Sequence, residues 1–171
     1  DILITAELKA IDGTGGILGQ AGPTSMRTGS YLPATATMQF DSADAVNYNN
    51  QQLFDEIVTH EMLHSVGFGS IWSYKGLASG YDYLGAQGLA EYNALLAAKG
   101  LPAATSVPLE DGGGSGTAGS HWSEAVFDHE LMTGYIDQAP DPLSKMTVAA
   151  LGDLGYQVNT ASTFIDGYIL A

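Results

Sequence analysis

Cysteine is absent from this chain of 171 residues, which excludes a disulfide framework, a thiolate nucleophile and a thiolate zinc site. Cationic residues are scarce: five Lys and Arg against nineteen Asp and Glu leave a formal charge of −14. That balance argues against nucleic acid as a partner, because phosphate binding needs clustered Lys and Arg. It also disfavours docking on anionic membranes. No apolar run approaches the ~20 residues of a membrane span, so no membrane anchor is expected in this chain.

What is present points to a folded globular protein. Hydrophobic residues make up 45% and charged residues only 14%, outside the range of disordered chains. The length suits a single domain, 1–171, able to bury a real core. We divide it into an upper half, 1–67, and a lower half, 68–171. The acidic surface has two readings, solubility and carboxylate-rich loops that bind calcium, so Ca2+ stands as a further candidate cofactor. No stretch, however, has calcium ligands at alternate positions. The chain opens in strand-like sequence (Ile2-Leu3-Ile4-Thr5), and a mature or trimmed form lacking an N-terminal segment is expected.

Ile2 to Leu8 and Ala36 to Phe40 read as strands. Gly13 to Gly29 reads as a loop or loosely paired ribbon. A helix is predicted from about Asn50 to Val66, capped by Asn49 or Asn50 and ended by Gly67 in a left-handed conformation. Phe68 to Tyr83 carries no firm assignment. Gly85 to Lys99 is a second helix with a stripe of Leu89, Tyr92, Leu95 and Leu96. A third, with Asp141 as cap and Pro142 in its first position, should run to Leu154 and stop at Gly155. Tyr156 to Val158 would add a short strand. Asp111 to Ser120 (DGGGSGTAGS) is a loop rather than a domain linker, because chemistry-bearing residues follow it directly.

The chemistry begins with HEMLH, His60 to His64. Two His four apart on a helix share one face, close enough for both imidazoles to bind one zinc ion. Glu61 lies beside that face, where it can take a proton from water that the metal activates. An HExxH string is expected by chance only about 0.004 times in a chain of this composition, so coincidence is a poor explanation. A catalytic zinc needs a third protein ligand and one open position. A compact pattern would place His at position 70, which is Ser70. His121, His129 and acidic residues such as Glu91 remain as candidates.

The segments HEMLHSVGFGSIW (His60 to Trp72) and HWSEAVFDHELMTGY (His121 to Tyr135) resemble the leishmanolysin group of metzincin metallopeptidases, particularly its bacterial relatives. GQAGPTSMR, MQFDSAD and LGDLGYQVN look like the same group. The resemblance implies an α+β, metzincin-like zincin domain: a small twisted sheet and the active-site helix above a cleft, and a loop-rich lower half with a C-terminal helix. It implies a zinc-dependent endopeptidase in which His60, His64 and His121 hold Zn2+ and Glu61 is the general base. Met132 would form a tight Met-turn beneath the metal as an apolar floor. Thr133, Gly134 and Tyr135 would shape the substrate pocket, and a protein or peptide substrate would pair along Ala36 to Phe40 as an edge strand. His129 is read as a hydrogen-bonded or exposed side chain. A secreted or extracellular, bacterial location is expected. The alternatives are a zinc hydrolase using Glu91 as third ligand and a noncatalytic metal-binding scaffold or adhesion module.

Overall fold

The computed structural model describes residues 1–137, 140–161, 165 and 168–170. The chain divides into two compact units, Asp1–Ser70 and Ile71–Ala171. Secondary structure is mixed α and β with two small sheets, in line with the expected α+β class.

The first unit is built on strands β1 (Leu3–Lys9), β2 (Gly19–Met26) and β3 (Pro33–Asp41), in the order β1-β3-β2. β3 runs parallel to β1 and antiparallel to β2. Its Ala36, Met38 and Phe40 are buried at the two-residue period of a strand with one face in the core. Ala36 to Phe40 is therefore in the central strand, not at an edge, because β1 and β2 occupy its two flanks. β2 was hidden in the predicted loop Gly13 to Gly29. Its sequence, GQAGPTSM, contains few strand-favouring residues, and its pairing with β3 makes it a strand.

Helices α1 (Ala45–Asn50) and α2 (Phe54–Ser65) follow. One helix from Asn50 was predicted, but Gln52 has φ of 63° and breaks the path. Asn49 and Asn50 thus end α1 instead of capping α2. Phe54 of α2 meets Phe40 of β3 edge to face at 5.4 Å, a favoured aromatic geometry. At the far end Gly67 has φ of 111°, as predicted. Phe68 N–H donates to the Leu63 carbonyl and Gly67 N–H to that of His64, both at 3.0 Å. These two bonds form a Schellman motif.

Asp41 anchors the loop after β1. Its Oδ2 accepts from the backbone N–H groups of Ile11, Asp12 and Gly13 at 2.9–3.1 Å, and its Oδ1 from Ala43 at 2.7 Å. The Ala43 bond, followed by those of Asp12, Gly13 and Ile11, holds the carboxyl below its ordinary 3.8 despite the opposing effect of burial. A depressed carboxylate pKa stabilises above the unfolded value and is lost as pH falls through the folded one. The amide resonances of Ile11, Asp12 and Gly13 are therefore expected to titrate together with a midpoint below 3.8. A shared midpoint at or above that value in an NMR pH series would contradict the assignment.

The second unit contains α3 (Trp72–Lys75), β4 (Ala78–Ser79), β5 (Asp82–Tyr83), α4 (Ala86–Ala98), β6 (Val107–Pro108), α5 (Glu124–Phe127) and α6 (Lys145–Leu154). α3, β4 and β5 fill the stretch that had no assignment. Trp72, Tyr83, Trp122 and Phe127 are almost wholly buried, with ring centroids 4.8–6.0 Å apart in tilted and edge-on arrangements. They form the aromatic centre of this unit's core. α4 matches its predicted span but has Gly85 as N-cap, which offers no side chain. Asp153 of α6 takes that role, accepting from Gln87 and Gly88 N–H and from the Tyr83 hydroxyl. α6 starts three residues later than predicted. Ser144, not Asp141, is its cap and accepts from Thr147 N–H at 3.1 Å. Pro142 lies outside the helix and its carbonyl accepts from Leu131. Tyr156 to Val158 is not a strand.

Candidate functional site

His60, Glu61 and His64 all lie on α2 in the first unit. One helical turn separates the two imidazoles, and their Nε2 atoms face each other at 2.9 Å. The His64 Nδ1 sits 3.0 Å from the Phe68 carbonyl oxygen. That carbonyl is presented by the Gly67 turn, so the sequence feature that ends the helix also orients the ring. A proton on Nδ1 leaves Nε2 as the lone-pair nitrogen, the usual way a backbone carbonyl fixes a metal-binding histidine.

Glu61 is 5% exposed, and its Oε2 has no hydrogen-bond partner among the described residues. Burial pushes its pKa up to about 8. Gly19 of β2 packs directly against it: a Cβ there would stand 2.7 Å from Glu61 Oε1. Only glycine permits this approach, so Gly19 sets the strand-to-carboxylate spacing. Gly19 opens the GQAGPTSMR segment, which by itself assigns it no role. A glycine opening a strand with few β-formers was the available signal.

The second unit holds His121, Trp122 and Met132. The Gly-rich loop 111–120 is closed at its base by Gly119 N–H to the Glu110 carbonyl (2.8 Å) and Glu110 N–H to the His121 carbonyl (3.0 Å). His121 is 6% exposed, and its Nδ1 lies 3.0 Å from the Thr117 carbonyl oxygen of that loop. Burial lowers its pKa, partly opposed by the Thr117 carbonyl. The ring is thus favoured in its neutral, metal-binding form. Trp122 N–H donates to the Met132 carbonyl at 3.0 Å, and Met132 is fully buried. Thr133 N–H donates to the Glu130 carbonyl (3.1 Å), which makes Glu130 to Thr133 a tight turn. Thr133 is buried, Gly134 lies against Thr117, and Tyr135 is 53% exposed.

His129 points elsewhere. Its Nδ1 is 3.6 Å from Asp128, and its ring stands 5.6 Å from that of Tyr168. His129→Ala is expected to leave zinc affinity within about twofold of the native protein, since its side chain is engaged with Asp128 and Tyr168 and sites without shared partners act nearly independently. A tenfold loss in a chelator competition would make it a ligand. Glu91 is half-buried on α4. Calcium gains no support. Glu124, Asp128 and Asp137 do bring donor atoms within 4.8 Å of one another, but Asp128 is exposed and the other two are only half-buried.

The leishmanolysin family model matches residues 96–165. Over 134 residues the chain is 32% identical to a leishmanolysin homolog of Crithidia fasciculata, covering 72% of this chain and 20% of that protein. Leishmanolysin-like peptidases of Drosophila melanogaster and Drosophila pseudoobscura pseudoobscura are each 44% identical over 48 residues, 28% of this chain and 7% of theirs. The chain thus spans a fifth or less of the length of these relatives. The resemblance to leishmanolysins is borne out by both comparisons. Among the described residues no helix is long and apolar enough to cross a membrane.

Proposed function

We propose that this chain is the catalytic domain of a zinc-dependent endopeptidase of metzincin type. His60, His64 and His121 hold one zinc ion, and Glu61 is the general base. The observation that carries this reading is the pair of Nε2 atoms 2.9 Å apart beside a buried carboxylate oxygen with no partner. Two imidazoles aimed at one point, one of them with its tautomer set by a backbone carbonyl, suit a borderline-soft divalent ion with a nitrogen preference. A structural zinc has no use for such a glutamate; hydrolysis does. The leishmanolysin family match supports the same reading.

When bound, zinc supplies Lewis acidity, polarising the scissile carbonyl and lowering the pKa of water. The protein's own part follows from its geometry. Glu61 accepts the proton of the attacking water on a carboxylate oxygen and passes it to the departing amine. β2 shields one side of Glu61 from bulk solvent, where Gly19 closes on the carboxylate. The substrate backbone pairs along β2, which has an open edge in its sheet and packs on α2. Met132 forms the apolar floor, Thr133, Gly134 and Tyr135 wall the pocket, and the two units act as one domain working outside the cell.

Cleavage of an unfolded protein before chelation, after it, and after adding zinc back tests this reading. Activity that disappears and returns with zinc is expected. Cleavage that persists through complete zinc removal would overturn it.

A further inference from the structure

Glu130 is a buried carboxyl that the reaction does not use, with no exposed surface. Its Oε1 accepts from the Ser144 hydroxyl (2.6 Å), the Thr147 hydroxyl (2.5 Å) and Ser144 N–H (3.1 Å). Its Oε2 accepts from Met132 N–H at 2.6 Å. Four donors converge on one side chain, as suits an acceptor-only carboxylate. The Thr147 hydroxyl that donates to Glu130 also accepts from the Trp122 indole N–H at 2.8 Å. Trp122 directly follows His121 and donates its own backbone N–H to Met132. One side chain therefore joins three elements: the Met132 turn, the start of α6, and, through Thr147, the residue next to His121.

We propose that Glu130 is a positioning residue for metal binding, fixing His121 through Thr147 and Trp122 and the Met132 turn through its second oxygen. The proposal rests on His121 being the third zinc ligand. Two features separate this role from helix capping. Ser144 caps α6 by itself, through its bond from Thr147 N–H. The Thr147 hydroxyl, by contrast, bridges Glu130 and the indole and is not needed for that cap. A glutamine at 130 must turn its NH2 towards some donor. With its oxygen on the three-donor side, the NH2 meets Met132 N–H, so the turn loses its anchor while α6 keeps its own.

The test is zinc affinity by chelator competition, with the Co(II) absorption spectrum as a readout of site geometry, on the native protein and on His121→Ala, Glu130→Gln, Thr147→Val and Ser144→Ala. Melting temperature is recorded alongside. We expect Thr147→Val and Glu130→Gln to bind zinc about tenfold more weakly with an altered Co(II) spectrum, the low end of what outer partners of a metal site cost. Ser144→Ala leaves the Thr147, Met132 and Ser144 N–H bonds to Glu130 in place, so it should lower the melting temperature with a smaller loss of zinc affinity than Thr147→Val. If Glu130→Gln fails to fold, Thr147→Val against Ser144→Ala decides the matter. Native affinity and spectrum in Thr147→Val would overturn the proposal while leaving His121 a ligand. Unchanged affinity in His121→Ala would instead remove the reading on which it rests.

Discussion

Glu61→Gln is expected to lower peptide hydrolysis by about 10²–10⁴-fold, the usual worth of a positioned proton acceptor, with zinc content unchanged. The amide keeps the size and buried position of Glu61 but cannot accept a proton at neutral pH. The zinc nitrogens belong to other residues, so metal binding is not expected to suffer. Folding should not suffer either. Glu61 is buried with one oxygen unpartnered among the described residues, and exchanging such a carboxyl for an amide removes a group that is costly to ionise. Stability at or above the native level with hydrolysis lost is the signature of a residue kept for chemistry. Zinc quantitation, thermal melting and turnover on one preparation test it. A variant retaining more than a tenth of native turnover would remove Glu61 from the reaction.

The second large effect is thermal. Zinc at about 1,000 times its dissociation constant should stabilise the native protein by about 4 kcal/mol. For a chain of this size that raises the melting temperature by about 8–16 °C. In His64→Ala the rise should vanish. That residue supplies one of the two facing nitrogens and also satisfies the Phe68 carbonyl at the Gly67 turn. The variant should melt below the zinc-free native protein as well, because a buried side chain is cut back to a methyl group and the Phe68 carbonyl loses one donor while keeping its bonds from Ser70. Melting curves with and without zinc separate these contributions. A full zinc-dependent rise in His64→Ala would mean that the ion sits elsewhere.

The features legible in the sequence are those fixed over a few residues. The i, i+4 spacing of His60 and His64 puts both rings on one face of any helix. Gly67, in the left-handed conformation, terminates α2 because the preceding pattern is helical and glycine pays least to adopt it. Features set by distant partners were not legible. β2 is a strand because β3 lies beside it. Loop 111–120 looks featureless in composition, yet Glu110 and His121 close it and Thr117 turns its carbonyl towards the His121 ring. Asp141-Pro142 has the better local helix start, but Ser144 wins, since its hydroxyl serves both the helix and Glu130. The acidic character of the chain did not foretell buried Asp41 and Glu130 and half-buried Asp153, three carboxylates that accept from backbone N–H groups.

The proposed function requires one zinc ion bound by the imidazoles of His60, His64 and His121. X-ray absorption at the zinc edge of the metal-loaded protein tests it most directly. A tetrahedral site with three imidazole nitrogens and one oxygen at about 2.0–2.1 Å is expected, falling to two imidazoles in His121→Ala. Two imidazoles and a carboxylate in the native protein, unchanged by His121→Ala, would contradict it.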